Sequence, residues 1–211
     1  SLLLAPSERA DILVDFSDVE PGTKIILMND APAPFPFGGP PNPDTVGQIM
    51  QFTVPIDAPK PVKPKKLPKF INYIPALYED APKRILTVTD IAAPSGIPIQ
   101  MLLNGQLWMA PVTETPKVGS TEDWYIVSLT AGSHPIHLHL VQFQVVGRHF
   151  FNVNAYQNEW NRVNGPLPLN HPPYTIPIEP FLIGEPIPPN ENEMGWKDTV
   201  IVHPGQITRI R

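Results

Sequence analysis

The sequence of 211 residues contains no cysteine, which excludes disulfide bonds and thiol catalysis within it and leaves its redox compartment undecided. It also lacks any run of about 18 apolar residues, so no transmembrane helix is expected. Charged residues make up only 17% of the chain, the net charge is -5, and the basic residues are mostly dispersed. Neither a nucleic-acid surface nor a membrane is therefore expected as a partner.

Proline is abundant instead, at 30 residues, well above its ordinary share of about 5%. Interior prolines break helices, so long helices are not expected. Short β-branched stretches such as "ADILVDF", "TKIILMN" and "EDWYIVSL" read as strands, and in the last of these Trp124, Ile126 and Ser128 alternate with the residues between them. Asn104-Gly105 is a two-residue hairpin signal. The pattern predicts an all-β protein built from β-sandwiches.

The chain divides at a segment rich in proline and lysine, residues 56–70, which is typical of an extended linker. Residues 1–55 are predicted to form the closing strands of one domain, and residues 71–211 most of another. A second proline-rich stretch, between residues 150 and 193, is expected to be a long loop. Because both ends of the chain read as strands under way and no initiator Met is present, we expect the sequence to be part of a larger protein.

Half of the six histidines lie in the stretch "SHPIHLHL" at residues 133–140. On a strand, His137 and His139 leave the same face about 7 Å apart, close enough to serve one metal cluster. His134 lies three positions before His137 and points to the opposite face, about 10 Å away. The spacing favours two different metal sites on one strand, and imidazole suits copper, zinc, iron and nickel alike.

A single metal site of the cupin kind is the competing interpretation, because it also uses a His-x-His pair on a β-strand. Such sites normally add a glutamate a few residues later, whereas this sequence has Gln142, Phe143 and Gln144. The cupin interpretation is weakened accordingly. The alternative kept open is a non-enzymatic cupredoxin-type or cupin-like module that uses the three histidines for one metal.

Several segments together resemble the bacterial multicopper oxidases, in particular the spore-coat-type laccases and their bilirubin oxidase relatives. They are "PVTETPKVGSTEDW" at 111–124, "SHPIHLHLVQFQVVGR" at 133–148 and "GWKDTVIVHPGQ" at 195–206. In addition, "LLLAPSERADILVDF" and "NPDTVGQIMQF" are similar to the end of the second cupredoxin domain of that family. The resemblance implies cupredoxin-like Greek-key sandwiches, with residues 1–55 closing the second domain and 71–211 forming a third that lacks its last strands.

The resemblance also implies a role for each histidine of the motif. His134 would bind the type 1 copper, where a substrate gives up its electrons, and is thus the candidate catalytic residue. His137 would bind the type 2 copper, and His139 one of the type 3 pair. The implied activity is the one-electron oxidation of phenolic or other small reducing substrates, coupled to the four-electron reduction of O₂ to water.

The sequence departs from this family in one respect: it has neither the His-Cys-His segment nor the other histidines of the copper cluster. The chain alone is therefore expected to be inactive and to need the missing N-terminal and C-terminal parts of the same protein as partners. By resemblance, the compartment would be the spore coat or outside the cytoplasm. His149, His171 and His203 lack metal spacing and are expected to serve surface or supporting roles. For Asp198 two interpretations stay open, orienting a ligand imidazole and a structural role at a turn or strand end.

Overall fold

The computed structural model describes residues 1–57, 68–69, 72–77 and 80–211. The chain forms two compact units, of which the first comprises Ser1–Leu3 and Arg9–Tyr73 and the second Leu4–Glu8 and Ile74–Arg211. The linker predicted at 56–70 lies largely outside the described residues. No helix of the described part is long and apolar enough to cross a bilayer.

The first unit contains one antiparallel pair of strands, β1 (Lys24–Met28) and β2 (Gln48–Thr53). Phe16 packs against Phe52 of β2, with ring centroids 5.2 Å apart. Both strands were predicted, but the strand predicted from "ADILVDF" at residues 10–16 is wrong. These residues have strand-forming side chains but pair with no strand among the described residues, and a strand forms only where a neighbour accepts its backbone hydrogen bonds.

The strands of the second unit are β3 (Lys83–Ala92), β4 (Pro98–Leu103), β5 (Asp123–Ser128), β6 (His134–His137), β7 (Phe143–Phe151), β8 (Leu182–Ile187), β9 (Trp196–Lys197), β10 (Thr199–Val202) and β11 (Gln206–Ile210). Most of them form a large, mostly antiparallel sheet with the strand order β4-β3-β5-β11-β7-β8, and β9 pairs with β7 beside this path. Among these strands only β3 and β5 pair in parallel. A separate two-stranded sheet pairs β6 with β10.

Apolar side chains leave both faces of the large sheet and build two cores. On β5, Ile126 enters one core and Val127 the other, as the alternation in the sequence predicted. The first core includes Val200 and Val202 of β10, so the two-stranded sheet covers that face. The second core includes Tyr156 and Trp160, which belong to a helix. The prediction of a mostly β sandwich is confirmed.

The helix α1 (Val153–Asn164) corrects the expectation of a continuous loop between residues 150 and 193. Although that stretch is rich in proline, residues 152–164 contain none, so the backbone can complete its helical hydrogen bonds there. The side chain of Asn152 caps the first turn by accepting from the backbone N–H of Ala155. Tyr156, Trp160 and Asn164, spaced by four residues, are buried against the sheet.

The predicted turn at Asn104-Gly105 is present, since both residues have positive φ values of 55° and 68° and the N–H of Gln106 donates to the carbonyl of Leu103. No strand follows it among residues 107–122, so the turn ends β4 without forming a long hairpin. Instead it meets the helix: a Cβ atom on Gly105 would lie 2.6 Å from Trp160 Cη2 and 2.8 Å from Leu167 Cδ2.

We expect Gly105→Ala to lower the free energy of unfolding by about 3 kcal/mol, because it adds left-handed backbone strain to a collision with the second core. Gly96→Ala is the matched control, since Gly96 also has a positive φ, of 81°, but a Cβ there meets no atom within 4 Å. It should cost only about 1 kcal/mol from the strain alone. Urea denaturation measures both, and equal losses would contradict the proposed contact with the helix.

The buried carboxylate of Asp123 links the start of β5 to the end of β11. Asp123 is nearly inaccessible and accepts hydrogen bonds from the guanidinium groups of Arg209 and Arg211. Burial by itself would raise the pKa of Asp123, but the hydrogen bonds from Arg211 and Arg209 outweigh it and hold that pKa below its usual value. The folded state therefore favours the ionised carboxylate.

This shift gives the stability of the chain a dependence on pH. Because the pKa of Asp123 is lower in the folded state, its contribution is present above the unfolded value of about 4 and is lost as the pH falls below that value. We expect Asp123→Asn to cost about 3 kcal/mol near neutral pH and progressively less below about pH 4. Urea denaturation of both proteins across this range tests it; a cost that did not shrink in acid would exclude Asp123 as the source.

Candidate functional site

The three candidate histidines lie on and just after β6, which pairs antiparallel with β10 so that His134 faces Val202 and His137 faces Thr199. β6 ends at His137, and β7 begins at Phe143 in the large sheet. The chain changes sheets between them, through Leu140 with a φ of 73°. The alternation of exposure nevertheless continues through residue 139, since His137 and His139 are exposed whereas His134 is half-buried.

His134 points to the same side as Ile136, which packs against the first core. Its Nε2 atom lies 2.7 Å from the hydroxyl oxygen of Thr130, and that hydroxyl donates its one proton to the carbonyl of Gly132. Nε2 of His134 is therefore the donor to Thr130, and Nδ1 keeps its lone pair. Burial lowers the pKa of His134, although the charge of Asp90 acts in the opposite direction, so the neutral imidazole is favoured.

His137 is held from β10. Its Nδ1 atom lies 2.9 Å from the backbone carbonyl of Asp198 and 3.0 Å from the hydroxyl of Thr199. A carbonyl can only accept, so Nδ1 carries a proton, and Nε2 is directed away from the strand pair. The Asp198 carboxylate in turn accepts from the Thr199 hydroxyl at 2.9 Å. Asp198 thus contacts the imidazole through its backbone carbonyl at 2.9 Å and through its carboxylate at 3.6 Å. Thr199 is a contact that the sequence analysis missed.

His139 packs against His137, with ring centroids 5.0 Å apart and an edge-to-face angle of 69°. These two exposed rings therefore form a pair, as their even spacing predicted. In the described ranges, no group of three or more histidine and carboxylate side chains is arranged to hold one metal ion. The three histidines thus provide a pair on one side of the strand and a single imidazole on the other.

The remaining histidines are each held by a hydrogen bond within the second unit. His149 donates through Nε2 to the carbonyl of Gly184, and His171 donates through Nδ1 to the carbonyl of Pro172. His203 lies at the end of β10, where its Nδ1 atom is 3.0 Å from the hydroxyl of Ser133. This bond ties the residue before His134 to the neighbouring strand, a link that residue spacing in the sequence did not reveal.

The imidazole groups of the motif are suitable ligands for copper, although they complete no copper site by themselves. His134 presents a neutral imidazole whose Nδ1 holds a lone pair, and His137 has its Nδ1 fixed by a hydrogen bond, which leaves its Nε2 for a metal. Imidazole suits copper but also zinc and iron, so the side chains alone do not select the metal. The chain contains no thiolate, and the three imidazoles do not converge on one point.

Comparison with known proteins gives the family. A family model described as multicopper oxidase matches residues 79–211. Over its whole length the chain is 40% identical to a laccase of Bacillus subtilis and 39% identical to a laccase of Bacillus stratosphericus. It spans about a third of the length of these curated relatives, 36% and 37% respectively.

Solved structures agree on the fold. The crystal structure of a multicopper oxidase from Pediococcus acidilactici matches 93% of the chain with a TM-score of 0.57 and 25% sequence identity. The match covers 30% of that protein.

Proposed function

Because the chain belongs to the multicopper oxidase family, we propose that it supplies copper ligands to a laccase-like oxidase. This oxidase would oxidise phenolic or related small reducing substrates by single electrons and reduce O₂ to water with four. The observation that carries the proposal is the placement of one imidazole on one side of β6 and a pair on the other. The names of the two Bacillus relatives support the laccase-like activity.

We assign His134 to the type 1 copper. Its fixed Nε2–H leaves Nδ1 as the ligand atom, and its half-buried position next to the first core limits access of water. A strand packed on a rigid sheet holds such a ligand in one orientation. The copper site would therefore need little structural rearrangement when it accepts an electron. His134 would therefore stand where electrons from the substrate enter.

We assign His137 and His139 to the type 2 and type 3 coppers respectively. With Nδ1 of His137 donating to the Asp198 carbonyl, Nε2 is the ligand atom. Hydrogen bonds of this kind fix the tautomer and orient the ring of a metal ligand. The 5.0 Å between the two rings suits ligands of neighbouring ions in one cluster. Copper, when bound, supplies one-electron redox chemistry at the first site and the reduction of O₂ at the second.

The two sites need more ligands than this chain provides. Three imidazoles that do not converge complete neither, and the thiolate of a type 1 site requires a cysteine. We therefore propose that the remaining ligands come from polypeptide outside these 211 residues. The competing single-metal module is not favoured, because it requires the three histidines to meet at one ion, and among the described residues they do not.

Copper loading with absorption and electron paramagnetic resonance spectroscopy tests the proposal. The oxidase assembled with its further ligands should show both type 1 and type 2 signals. The 211-residue chain alone, loaded with Cu²⁺, should show no blue band, because it has no cysteine. One tightly bound ion on this chain, lost equally in the three single His→Ala variants, would instead establish the single-metal module.

A further inference from the structure

A cleft of about 480 Å³ opens on the face of the large sheet that carries the second core. Across its floor, Arg209 of β11 lies between its cross-strand neighbours Tyr125 on β5 and Gly147 on β7. A Cβ on Gly147 would come within 2.5 Å of the carbonyl of Ile187, so only glycine allows β8 to approach here. The volume is within the range of about 300–1,000 Å³ that is typical of small-molecule sites.

Two cations meet over one aromatic ring in this cleft. Lys83 Nζ lies 5.6 Å and Arg209 Cζ 5.3 Å from the centroid of the Tyr125 ring. Arg209 donates through Nη2 to Asp123, whereas its Nε–H is buried and has no hydrogen-bond partner among the described residues. The Arg209 side chain as a whole is nevertheless 32% exposed, so part of its guanidinium group faces the cleft.

The other charged groups that line the cleft are already engaged. Arg148 donates both Nη atoms to Glu193 and Nη2 also to the carbonyl of Ile201. Its Nε–H, like that of Arg209, has no hydrogen-bond partner among the described residues, but its side chain is only 5% exposed. Glu179 binds Lys83 at 2.9 Å in a pair that is about half exposed, and such a pair exchanges partners at little cost. Arg209, assisted by Lys83, is therefore the group available to an anion.

The remaining walls are apolar and rigid, and they include Leu182, Pro186, Ile187 and Pro188. Proline rings and an aromatic ring form firm surfaces that suit a flat apolar body, and a binding site that is already ordered has less entropy to lose. An inorganic anion would leave these walls uncovered. An apolar molecule without a charge would form no ion pair with Arg209 or Lys83.

We propose that this cleft binds a small aromatic carboxylate. Its carboxylate accepts from the exposed part of the Arg209 guanidinium and from Lys83, and its ring packs against the proline-rich wall of β8. The three histidines lie on β6, whose Ile136 packs against the opposite face of the sheet. Binding in the cleft therefore needs no copper and does not depend on the proposed oxidase function.

Calorimetric titration of the 211-residue chain with benzoate tests the proposal, with benzamide and acetate as matched probes. Benzoate should bind saturably, whereas neutral benzamide should bind about 10-fold more weakly, because a hydrogen bond to a charged partner is lost. Acetate should also bind more weakly, since it lacks the ring. Equal affinities for benzoate and benzamide, or no saturable benzoate binding at millimolar concentrations, would overturn the proposal.

Variants locate the site. Arg209→Lys should weaken benzoate binding by about 10-fold or more, and the exposed Lys83→Gln by about 3-fold. Val146→Phe, which fills the cleft from its floor, should abolish binding. Lys117→Gln, an exposed lysine outside the cleft, should leave it unchanged. Thermal unfolding checks that each variant folds; if Lys83→Gln and a folded Val146→Phe both bind benzoate like the parent, the cleft is not the site.

Discussion

In the assembled oxidase, His134→Ala is expected to abolish or strongly perturb the blue absorption band and to stop electron entry from phenols, while O₂ still reacts with a cluster reduced beforehand. His137→Ala and His139→Ala should fail in the opposite way, retaining a blue band that substrate can bleach but that O₂ no longer restores. The reason is the division of the three rings between the two sides of one strand. Loss of turnover should exceed the roughly 100-fold effect of removing a group that only supports a ligand.

Stopped-flow absorption measures bleaching and reoxidation separately, and copper analysis counts the ions retained. His171→Ala is a suitable control, because His171 donates to a backbone carbonyl close to it in sequence and has no metal spacing. It should leave both half-reactions intact. A blue band that survives His134→Ala but disappears in the other two variants would show that the two sides of the strand have been assigned in reverse.

Arg148→Met is expected to lower the free energy of unfolding by about 4 kcal/mol, because it leaves a buried carboxylate without its counter-ion. Arg148 and Glu193 have side chains that are only 5% exposed and share a bidentate ion pair. Burial by itself would raise the pKa of Glu193, but the hydrogen bonds and charge of Arg148 outweigh it and hold that pKa below its usual value. Arg148 also donates to the carbonyl of Ile201 on β10, so the pair fastens the strand beside β6.

The helix α1 offers a matched control for this effect. Arg162 and Glu159 form a bidentate pair with similar distances, 2.8 and 2.7 Å, but on an exposed surface. Arg162→Met should leave the free energy of unfolding nearly unchanged, since water replaces the lost partner. The double variant Arg148→Met/Glu193→Leu should recover much of the loss, because an apolar pair of similar volume fits a buried site. Equal costs for Arg148→Met and Arg162→Met in urea denaturation would contradict the dependence on burial.

Local spacing in the sequence anticipated much of the arrangement of the three histidines. A strand alternates by geometry, so the odd step from His134 to His137 and the even step to His139 suffice to place one ring apart from the other two. The contacts that fix the protonated nitrogen of each ring were harder to predict from the sequence. Thr130 precedes His134 in the chain, but Thr199 and the Asp198 carbonyl reach His137 across 61 or 62 positions, through the pairing of β6 with β10.

The strand at residues 10–16 and the loop at 150–193 show where local patterns fail. The stretch "ADILVDF" has strand-forming side chains, yet a strand exists only when another strand pairs with it, and no described strand does. In residues 150–193 the high average proline content concealed a proline-free stretch of 13 residues, 152–164, which is long enough for a helix with its cap. In the first case the outcome depended on a pairing strand, and the described residues provide none. In the second case it depended on the positions of the prolines rather than on their number.

The sequence by itself determined the β class, the faces of β5, the turn at Asn104-Gly105 and the separation of His134 from the other two rings, because each follows from the geometry of a few adjacent residues. Only the tertiary structure decided that a helix covers the second core, that Arg148 and Glu193 form a buried pair, and that a cleft lies beside Arg209. These features join residues from distant parts of the chain, and their energies depend on how completely the packing excludes water. No local pattern carries that information.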